Sequence, residues 1–157
     1  MITVRPIRPR EAALLAAAVK PEPLLHEARA QLQRAGRAVY LLAWDDETPL
    51  GHALLRLPPL DASLHPRVDG VPQVEDLLVA DAYRSRGVGT KLLDELDRQA
   101  RLRGFDRISL AVGTSNTGAR RLYGRQGYID AGLGEFEVAG AAGGGKPDVC
   151  TALVKEL

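Results

Sequence analysis

The sequence has little of three things: cysteine, histidine and net charge. Cys150 has no partner for an intramolecular disulfide, so the composition fits a reducing compartment and predicts a cytoplasmic protein. The 21 basic and 20 acidic residues leave a net charge of +1, so the chain lacks the bulk positive charge with which many proteins hold nucleic acid. No apolar run approaches the length that spans a bilayer, which argues against a membrane partner.

Metal ligands are scarce as well. His26, His52 and His65 are scattered along the chain, without cysteines or carboxylates at ligand spacing, so we expect no metal site. We interpret His65 as a surface loop residue, although it could approach a substrate. Cys150 lies in VCTALV, an apolar strand pattern, and we interpret it as a packed core thiol and not as a nucleophile.

The 157 residues are enough for one domain with a real core. Their patterns predict a mixed α/β fold in the order β-α-α-β-β-β-α-β-α-β-β, with no internal linker. Residues 45–51 are predicted to form a turn between two strands. The predicted helices cover residues 9–20, 23–36, 87–103 and 117–126. The predicted strands cover residues 2–8, 38–44, 52–57, 74–79, 107–112, 128–133 and 149–157.

Two of the helices have a recognisable apolar face. Helical spacing places one set of side chains on a single side of the second helix: Leu24, Leu25, Ala28, Leu32 and Ala35. The third helix has a stronger apolar face: Val88, Leu92, Leu93, Leu96 and Ala100. We expect both faces to pack against the sheet.

The stretch YRSRGVGT, residues 83–90, stands between an apolar strand and this third helix. A helix start exposes unpaired backbone N–H groups, and glycines let a ligand approach them, so the pattern is typical of a phosphate site. Arg84 and Arg86 would add positive charge. The P-loop pattern fails because Lys91 follows Thr90, and the dinucleotide pattern lacks its third glycine. A plain tight turn with solvated arginines is the alternative.

Two blocks of the sequence resemble the GCN5-related N-acetyltransferase superfamily. Residues 84–89, RSRGVG, fit its acetyl-CoA signature, Arg/Gln-x-x-Gly-x-Gly/Ala, at every position. Residues 116–128, NTGARRLYGRQGY, resemble its second block, Asn…Ala…Leu-Tyr…Gly-Phe/Tyr. The resemblance is sharp over residues 74–128, and outside that span it depends on the order of the elements.

The resemblance implies a single N-acetyltransferase domain over residues 1–157. Its central sheet would be twisted, mixed and mostly antiparallel, with about seven strands and about four helices. Acetyl-CoA would bind where the strands ending near Val79 and Val112 move apart. The pantetheine would pair with the backbone of Leu77, Leu78 and Val79 as an added strand. The pyrophosphate would contact the turn formed by Arg84, Ser85, Arg86, Gly87, Val88, Gly89 and Thr90.

The resemblance also implies direct transfer of the acetyl group to an amine in a ternary complex. A backbone N–H near Val79 would stabilise the oxyanion. Tyr123 matches the tyrosine that meets the CoA sulfur, so it is assigned as the general acid and as a cofactor contact; packing on the helix face is the alternative. Asn116 matches a cofactor-binding position and could equally be a simple N-cap, or both.

A general base is expected from the Glu75–Asp76 pair, which resembles a pair in spermidine/spermine acetyltransferases. Alternating strand side chains predict that one of the two faces the acceptor, and Glu75 is preferred over Asp76. Two alternatives stay open: both carboxylates are ion-paired or solvated, or a chain of waters removes the proton.

The acceptor is left open among polyamines, aminoglycosides and protein or peptide amines. Residues 19–25, 58–72 and 133–147 would surround it, and their charges are too evenly balanced to choose. A non-catalytic acyl-CoA sensor on the same fold is the alternative function. A nucleotide-binding protein of another fold is a third hypothesis. A homodimer, which is common in the family, is left open too.

Overall fold

The computed structural model describes residues 1–61, 67–138 and 146–157, so His65 and the glycine-rich residues 139–145 lie outside the described part. The elements follow the predicted order and confirm the mixed α/β class. They are β1 (Ile2–Pro6), α1 (Ala12–Ala18), α2 (Pro23–Arg34), β2 (Ala38–Asp45), β3 (Thr48–Arg56), β4 (Gln73–Val79), a short 3-10 helix (Asp81–Tyr83), α3 (Val88–Leu102), β5 (Arg107–Gly113), α4 (Thr117–Arg125), β6 (Ile129–Val138) and β7 (Asp148–Glu156). None of the helices in these residues has the length and apolar character that a bilayer crossing requires.

The seven described strands form one sheet in the order β1-β2-β3-β4-β5-β7-β6. β4 and β5 are parallel, and the other neighbouring strands run antiparallel. The sheet is therefore mixed and mostly antiparallel, as the resemblance implied. β4 and β5 belong to a β-α-β crossover through α3, which is the connection that parallel strands require.

The parallel pair opens into a wedge shortly after it begins. Register partners join β4 and β5 only at Gln73 with Ser109 and at Val74 with Leu110. β5 continues along β7 as far as Gly113, whereas the later residues of β4 have no partner on β5 within the described sheet. The backbone of Leu77, Leu78 and Val79 on this side of β4 is therefore left facing the gap.

The sheet separates two apolar cores. Val39, Leu41 and Ala43 of β2 pack on the α3 side, and the alternating Tyr40 and Leu42 pack on the side of α1 and α2. This is the two-residue alternation that a buried central strand imposes. The predicted face of α3 is confirmed, because all five of its residues are buried: Val88, Leu92, Leu93, Leu96 and Ala100.

The predicted apolar face of α2 is wrong in part: Leu24, Ala28 and Ala35 are exposed, whereas Leu32 packs against the core. Leu24 is 85% exposed, and the residues that α2 buries are His26, Arg29 and Ala30. The helix is rotated so that its polar side chains reach Tyr40 of β2 and Asp76 of β4 on the same side of the sheet. Hydrogen bonds and ion pairs to distant strands set this orientation. The spacing of leucines along the helix gives no information about these contacts.

A β-bulge interrupts β4 beside the wedge. His52 of β3 lies opposite Leu78, but Leu54 lies opposite Glu75, so β4 carries an extra residue here. Asp76 takes up the bulge with a left-handed φ of 51°. As a result, Glu75 lies opposite Leu54 of the α1–α2 core while Asp76 also turns to that side and bonds Arg29. The expectation that alternation would separate the two carboxylates is therefore wrong.

The predicted turn over residues 45–51 is shorter than expected, because β3 already begins at Thr48. Gly51 belongs to this strand and lies opposite Val79. A Cβ at Gly51 would lie 2.5 Å from the backbone oxygen of Leu78, which cannot move without shifting β4. Glycine is required here for the close approach of the two strands.

Gly51→Ala is therefore expected to lower the free energy of unfolding by about 1–3 kcal/mol, the usual cost of overpacking. Urea denaturation followed by circular dichroism measures it. Gly124→Ala is the matched control: it adds the same methyl group to α4, where a Cβ meets nothing within 4 Å. It should raise stability by about 0.5–1 kcal/mol. Equal stability of both variants would contradict the close-approach argument.

Candidate active site

A cleft of about 710 Å³ fills the wedge and continues onto the turn before α3. It brings together all of the predicted cofactor residues except Arg86. The guanidinium of Arg86 lies 5.7 Å from the ring centroid of Tyr83, at the rim. The lining residues are Leu77, Leu78, Val79, Tyr83, Arg84, Ser85, Gly87, Val88, Gly89, Thr90, Asn116, Gly118, Ala119, Leu122, Tyr123 and Arg125.

The turn presents an open helix start to this cleft. Gly87 is the N-cap of α3, with a left-handed φ of 79° that favours glycine, and Ser85 has a φ of 62°. No described side chain caps α3, so the N–H groups of its first turn point towards the cleft without a side-chain acceptor. Such a helix start attracts an anion through these donors and through the helix dipole.

Arg84 lies at the edge of the turn with its charge exposed. Its Nε donates to the carbonyl of Val79 at 3.3 Å, and its Nη2 lies 3.1 Å from Oδ1 of Asp81. Both side chains of this ion pair are largely exposed, and exposed ion pairs contribute little to stability. Arg84 can therefore turn towards an anion in the cleft at little cost.

Asn116 has one of its two predicted roles. Its Oδ1 accepts a hydrogen bond from the backbone N–H of Ala119 at 3.2 Å, so it is the N-cap of α4. It also lines the cleft, where its amide could meet a ligand. The cap fixes the start of α4 and thereby the position of Tyr123 two turns later.

Tyr123 lies at the inner wall of the cleft and is 9% exposed. Its ring packs edge-to-face on Tyr128, with 5.8 Å between the ring centroids. Burial raises the pKa of the Tyr123 phenol above its ordinary value. The phenol therefore keeps its proton at neutral pH and can donate it, as a general acid must.

The two predicted bases are both ion-paired, which was one of the open alternatives. Oε1 of Glu75 lies 2.8 Å from Nε of Arg56. Oδ2 of Asp76 lies 2.9 Å from Nζ of Lys20 and 2.8 Å from Nη1 of Arg29. Burial alone would raise the pKa of Asp76, but the hydrogen bonds from Lys20 and Arg29 outweigh it and hold this pKa below its ordinary value.

Five lining residues were not assigned to the cofactor from the sequence: Tyr83, Gly118, Ala119, Leu122 and Arg125. Three of them follow a helical signal, because Gly118, Leu122 and Arg125 are spaced at i, i+4 and i+7 along one face of α4. Arg125 adds a second basic side chain to the lining, beside Arg84. Nothing in its local sequence distinguishes Arg125 from the exposed Arg121.

Among the described residues, no group of three or more histidine, cysteine, aspartate or glutamate side chains lies together in a way that could hold a metal ion. His26 and His52 are buried behind β4 and bond to protein atoms. Cys150 is a buried residue of β7 and lies outside the cleft lining, in agreement with a core thiol.

A wedge between two parallel strands, with an uncapped helix start at one end, is the architecture of an N-acetyltransferase domain. A model of the acetyltransferase (GNAT) family matches residues 7–128. The chain therefore belongs to the acetyltransferase (GNAT) family.

Several solved structures share this fold over nearly the whole chain. A GNAT acetyltransferase from Streptococcus pneumoniae is 21% identical, with a TM-score of 0.70 and 100% of each chain covered. A ribosomal-protein-alanine N-acetyltransferase from Brucella melitensis is 20% identical, with a TM-score of 0.73 and 99% of each chain covered. A GNAT acetyltransferase from Elizabethkingia anophelis with acetyl-CoA bound is 20% identical, with a TM-score of 0.64 and 99% and 98% covered. No curated protein matches the sequence.

Proposed function

We propose that this protein transfers an acetyl group from acetyl-CoA directly to a primary amine in a ternary complex. One observation carries the proposal: the unpaired side of β4 at Leu77–Val79 and the open start of α3 belong to a single cleft. An extended amide chain fits the first and a pyrophosphate fits the second. Acetyl-CoA contains both groups, and it is bound in the Elizabethkingia relative.

In the proposed complex, the pantetheine amides pair with the backbone of Leu77, Leu78 and Val79. The pyrophosphate accepts hydrogen bonds from the amides of residues 86–90, and Ser85 and Thr90 can contribute their hydroxyls. Arg84 and Arg125 supply positive charge from the cleft lining, and Arg86 supplies it from the rim. Asn116 contacts the cofactor from the start of α4 while it caps the helix.

The reaction needs one nucleophile and two proton transfers. The acceptor nitrogen attacks the thioester carbonyl, and the carbonyl oxygen becomes an oxyanion that a backbone N–H near Val79 stabilises. The C–S bond then breaks, the C–N bond remains, and the departing sulfur takes a proton from the phenol of Tyr123. The nitrogen loses its proton to a base, and solvent returns a proton to Tyr123.

Glu75 is the preferred base, either directly or through water. It is a half-buried carboxylate with one cationic partner, Arg56, whereas Asp76 has two. A carboxylate whose pKa is held low accepts a proton weakly at neutral pH, so Asp76 is the poorer candidate.

The acceptor class stays open between small polyamine- or aminoglycoside-like amines and protein or peptide amines. The Brucella relative is a ribosomal-protein-alanine N-acetyltransferase, which makes peptide N-termini the first amines to test. A non-catalytic acyl-CoA sensor is the second candidate, because both candidate bases are ion-paired. The cytoplasmic location inferred from the single cysteine is also a proposal, as is a homodimer.

A thermal-shift comparison tests the proposal with acetyl-CoA, CoA, ATP and NAD at equal excess. Acetyl-CoA and CoA should stabilise the protein, by about 2.7 kcal/mol at 100 times Kd, and ATP and NAD should not. Thiol release with a panel of peptide N-termini, polyamines and aminoglycosides then separates the two candidate functions. Binding of acetyl-CoA without amine-dependent release of thiol would favour the sensor. An unfolding temperature unchanged by both acetyl-CoA and CoA would contradict both candidate functions.

A further inference from the structure

A largely buried polar cluster, partly exposed at two of its members, lies behind β4, on the side of α1 and α2. We name the group of Lys20, Arg29, His52 and Asp76 the bulge cluster, because its members meet at the β-bulge. They come from the connection between α1 and α2, from α2, from β3 and from β4, respectively. None of them lines the cofactor cleft, yet Leu77, which follows Asp76 directly, does.

The bulge cluster holds Asp76 at two points. Lys20 and Arg29 donate to the same carboxylate oxygen, at 2.9 Å and 2.8 Å. Nδ1 of His52 lies 3.1 Å from the backbone carbonyl of Asp76. A carbonyl can only accept, so Nδ1 carries the hydrogen and donates it. Side chain and backbone of the bulged residue are thus fixed by residues of different elements.

The contact that His52 makes through Nδ1 leaves its other ring nitrogen, Nε2, unpaired within the described residues. The side chain is 0% exposed, and its Nε2 has no hydrogen-bond partner among the described residues. Leaving a buried polar atom unpaired is unfavourable. An apolar side chain would fill this position without that loss, so the arrangement is explained by the bond that His52 makes to the bulge.

A second layer fixes the two cations. His26 Nε2 lies 2.8 Å from the carbonyl of Lys20, so Nε2 donates and Nδ1 accepts. Nδ1 then takes the hydroxyl hydrogen of Tyr40, at 2.7 Å, and the oxygen of Tyr40 accepts from Nη1 of Arg29, at 3.4 Å. The chain of donors runs in one direction from Arg29 to the backbone of Lys20, and each hydrogen has an acceptor.

The structure assigns the bulge cluster a positioning role: it holds the left-handed turn at Asp76 so that the following β4 amides face the thioester oxygen. This inference rests on the proposed acetyl transfer. Asp76 then acts through the backbone that it fixes and not as a base. Lys20, Arg29 and His52 are positioning residues for the same amides, although they touch neither cofactor nor acceptor in the proposed complex.

Asp76→Asn and Lys20→Met test the assignment. Asparagine tolerates left-handed φ, so the first variant keeps the bulge residue but removes its charge. Lys20→Met removes one donor from a partly exposed position. Each should lower kcat about 10- to 100-fold, the effect of an ångström-scale displacement. Kd for acetyl-CoA should rise by a smaller factor than kcat falls, because the displaced amides contact the pantetheine but the pyrophosphate turn is untouched. The double variant should lose little more than Asp76→Asn alone, since the two act as one unit.

Infrared spectroscopy of bound acetyl-CoA supplies a readout besides activity. With a ¹³C-labelled carbonyl, the wild-type protein should lower the stretching frequency of that group relative to free acetyl-CoA, because the amides polarise it. Both variants should lower it less. Glu11→Gln is the matched control: it breaks the half-buried ion pair between Arg5 and Glu11, at 2.7 Å, on the same side of the sheet. It should change neither kcat nor the carbonyl frequency.

Each other outcome decides against a specific claim. Wild-type kcat and carbonyl frequency in Lys20→Met would overturn the positioning role, even if Asp76→Asn failed to fold. In Asp76→Asn, the pH profile of kcat could lose only its acidic limb while Lys20→Met keeps the wild-type profile. That result would identify Asp76 as the base and would also overturn the positioning role. A wild-type protein that binds no acetyl-CoA would overturn the proposed function and with it this inference.

Discussion

Gly89→Glu is expected to abolish acetyl-CoA binding and to leave the fold intact. Gly89 lies in the first turn of α3 and lines the cleft. A Cβ there meets only Leu122, at an ordinary contact distance of 3.6 Å. The carboxylate would occupy the anion site and repel the pyrophosphate. Two like charges about 4 Å apart near a protein surface repel by about 4 kcal/mol, which corresponds to a roughly thousandfold increase in Kd. Isothermal titration calorimetry with acetyl-CoA measures the loss.

Two variants separate charge from other effects. Gly124→Glu adds the same carboxylate to an open position of α4 outside the cleft lining, and it should bind acetyl-CoA as the wild type does. Gly87→Ala adds no charge but strains the left-handed residue, so it should reduce stability more than affinity. Binding of acetyl-CoA by Gly89→Glu with unchanged affinity would mean that the pyrophosphate does not contact this turn.

Tyr123→Phe is expected to lower kcat by about 10²–10³-fold, the usual contribution of a positioned proton donor. The ring still fills the cleft wall, so Kd for acetyl-CoA should change less than about threefold. Burial raises the pKa of this phenol. In the wild-type protein, loss of the Tyr123 proton should therefore not lower kcat at any pH below the ordinary range of tyrosine pKa values. Steady-state thiol release with a responsive amine, measured from pH 6 to 9 in steps of about one unit, gives kcat. Isothermal titration calorimetry with acetyl-CoA gives Kd, because a steady-state KM need not equal it.

Tyr128→Phe is the matched control. Its ring packs on Tyr123, but it does not line the cleft. Its buried hydroxyl has no hydrogen-bond partner among the described residues, so removing that hydroxyl should leave kcat unchanged and stability equal or slightly higher. A similar loss of kcat in both variants would indicate altered packing and remove Tyr123 from the proton transfer.

The parts of the site that could be predicted from the sequence are those with a local signal. Gly87 and Gly89 mark the turn, the spacing of Val88, Leu92 and Leu96 marks α3, and Asn116 marks the start of α4. Each of these signals operates within about one or two helical turns, where backbone preference and helical period decide the structure. The cleft is built mainly from these segments, and the resemblance to the acetyltransferase family implied which of their residues would line it.

The acceptor side depends on contacts that the local sequence does not contain. Asp76 bonds Lys20 and Arg29 from 56 and 47 residues away. These contacts rotate α2 away from its leucine pattern and place Glu75 and Asp76 on one side of the sheet. Strand alternation predicts the opposite arrangement for a regular strand, and a bulge becomes visible only when the neighbouring strand is in place. The sequence leaves the identity of the acceptor open for the same reason, since the proposed surroundings of the acceptor are assembled from distant segments.

The gap between β4 and β5 has a consequence for how this protein can diverge. In the proposed complex, the pantetheine is recognised by main-chain groups of Leu77, Leu78 and Val79, which every amino acid except proline can supply. Substitutions at these positions can therefore alter the core or the acceptor side and still leave the cofactor contacts in place. A site of this kind constrains backbone shape more than residue identity, in keeping with relatives that share the fold at only 20–21% identity.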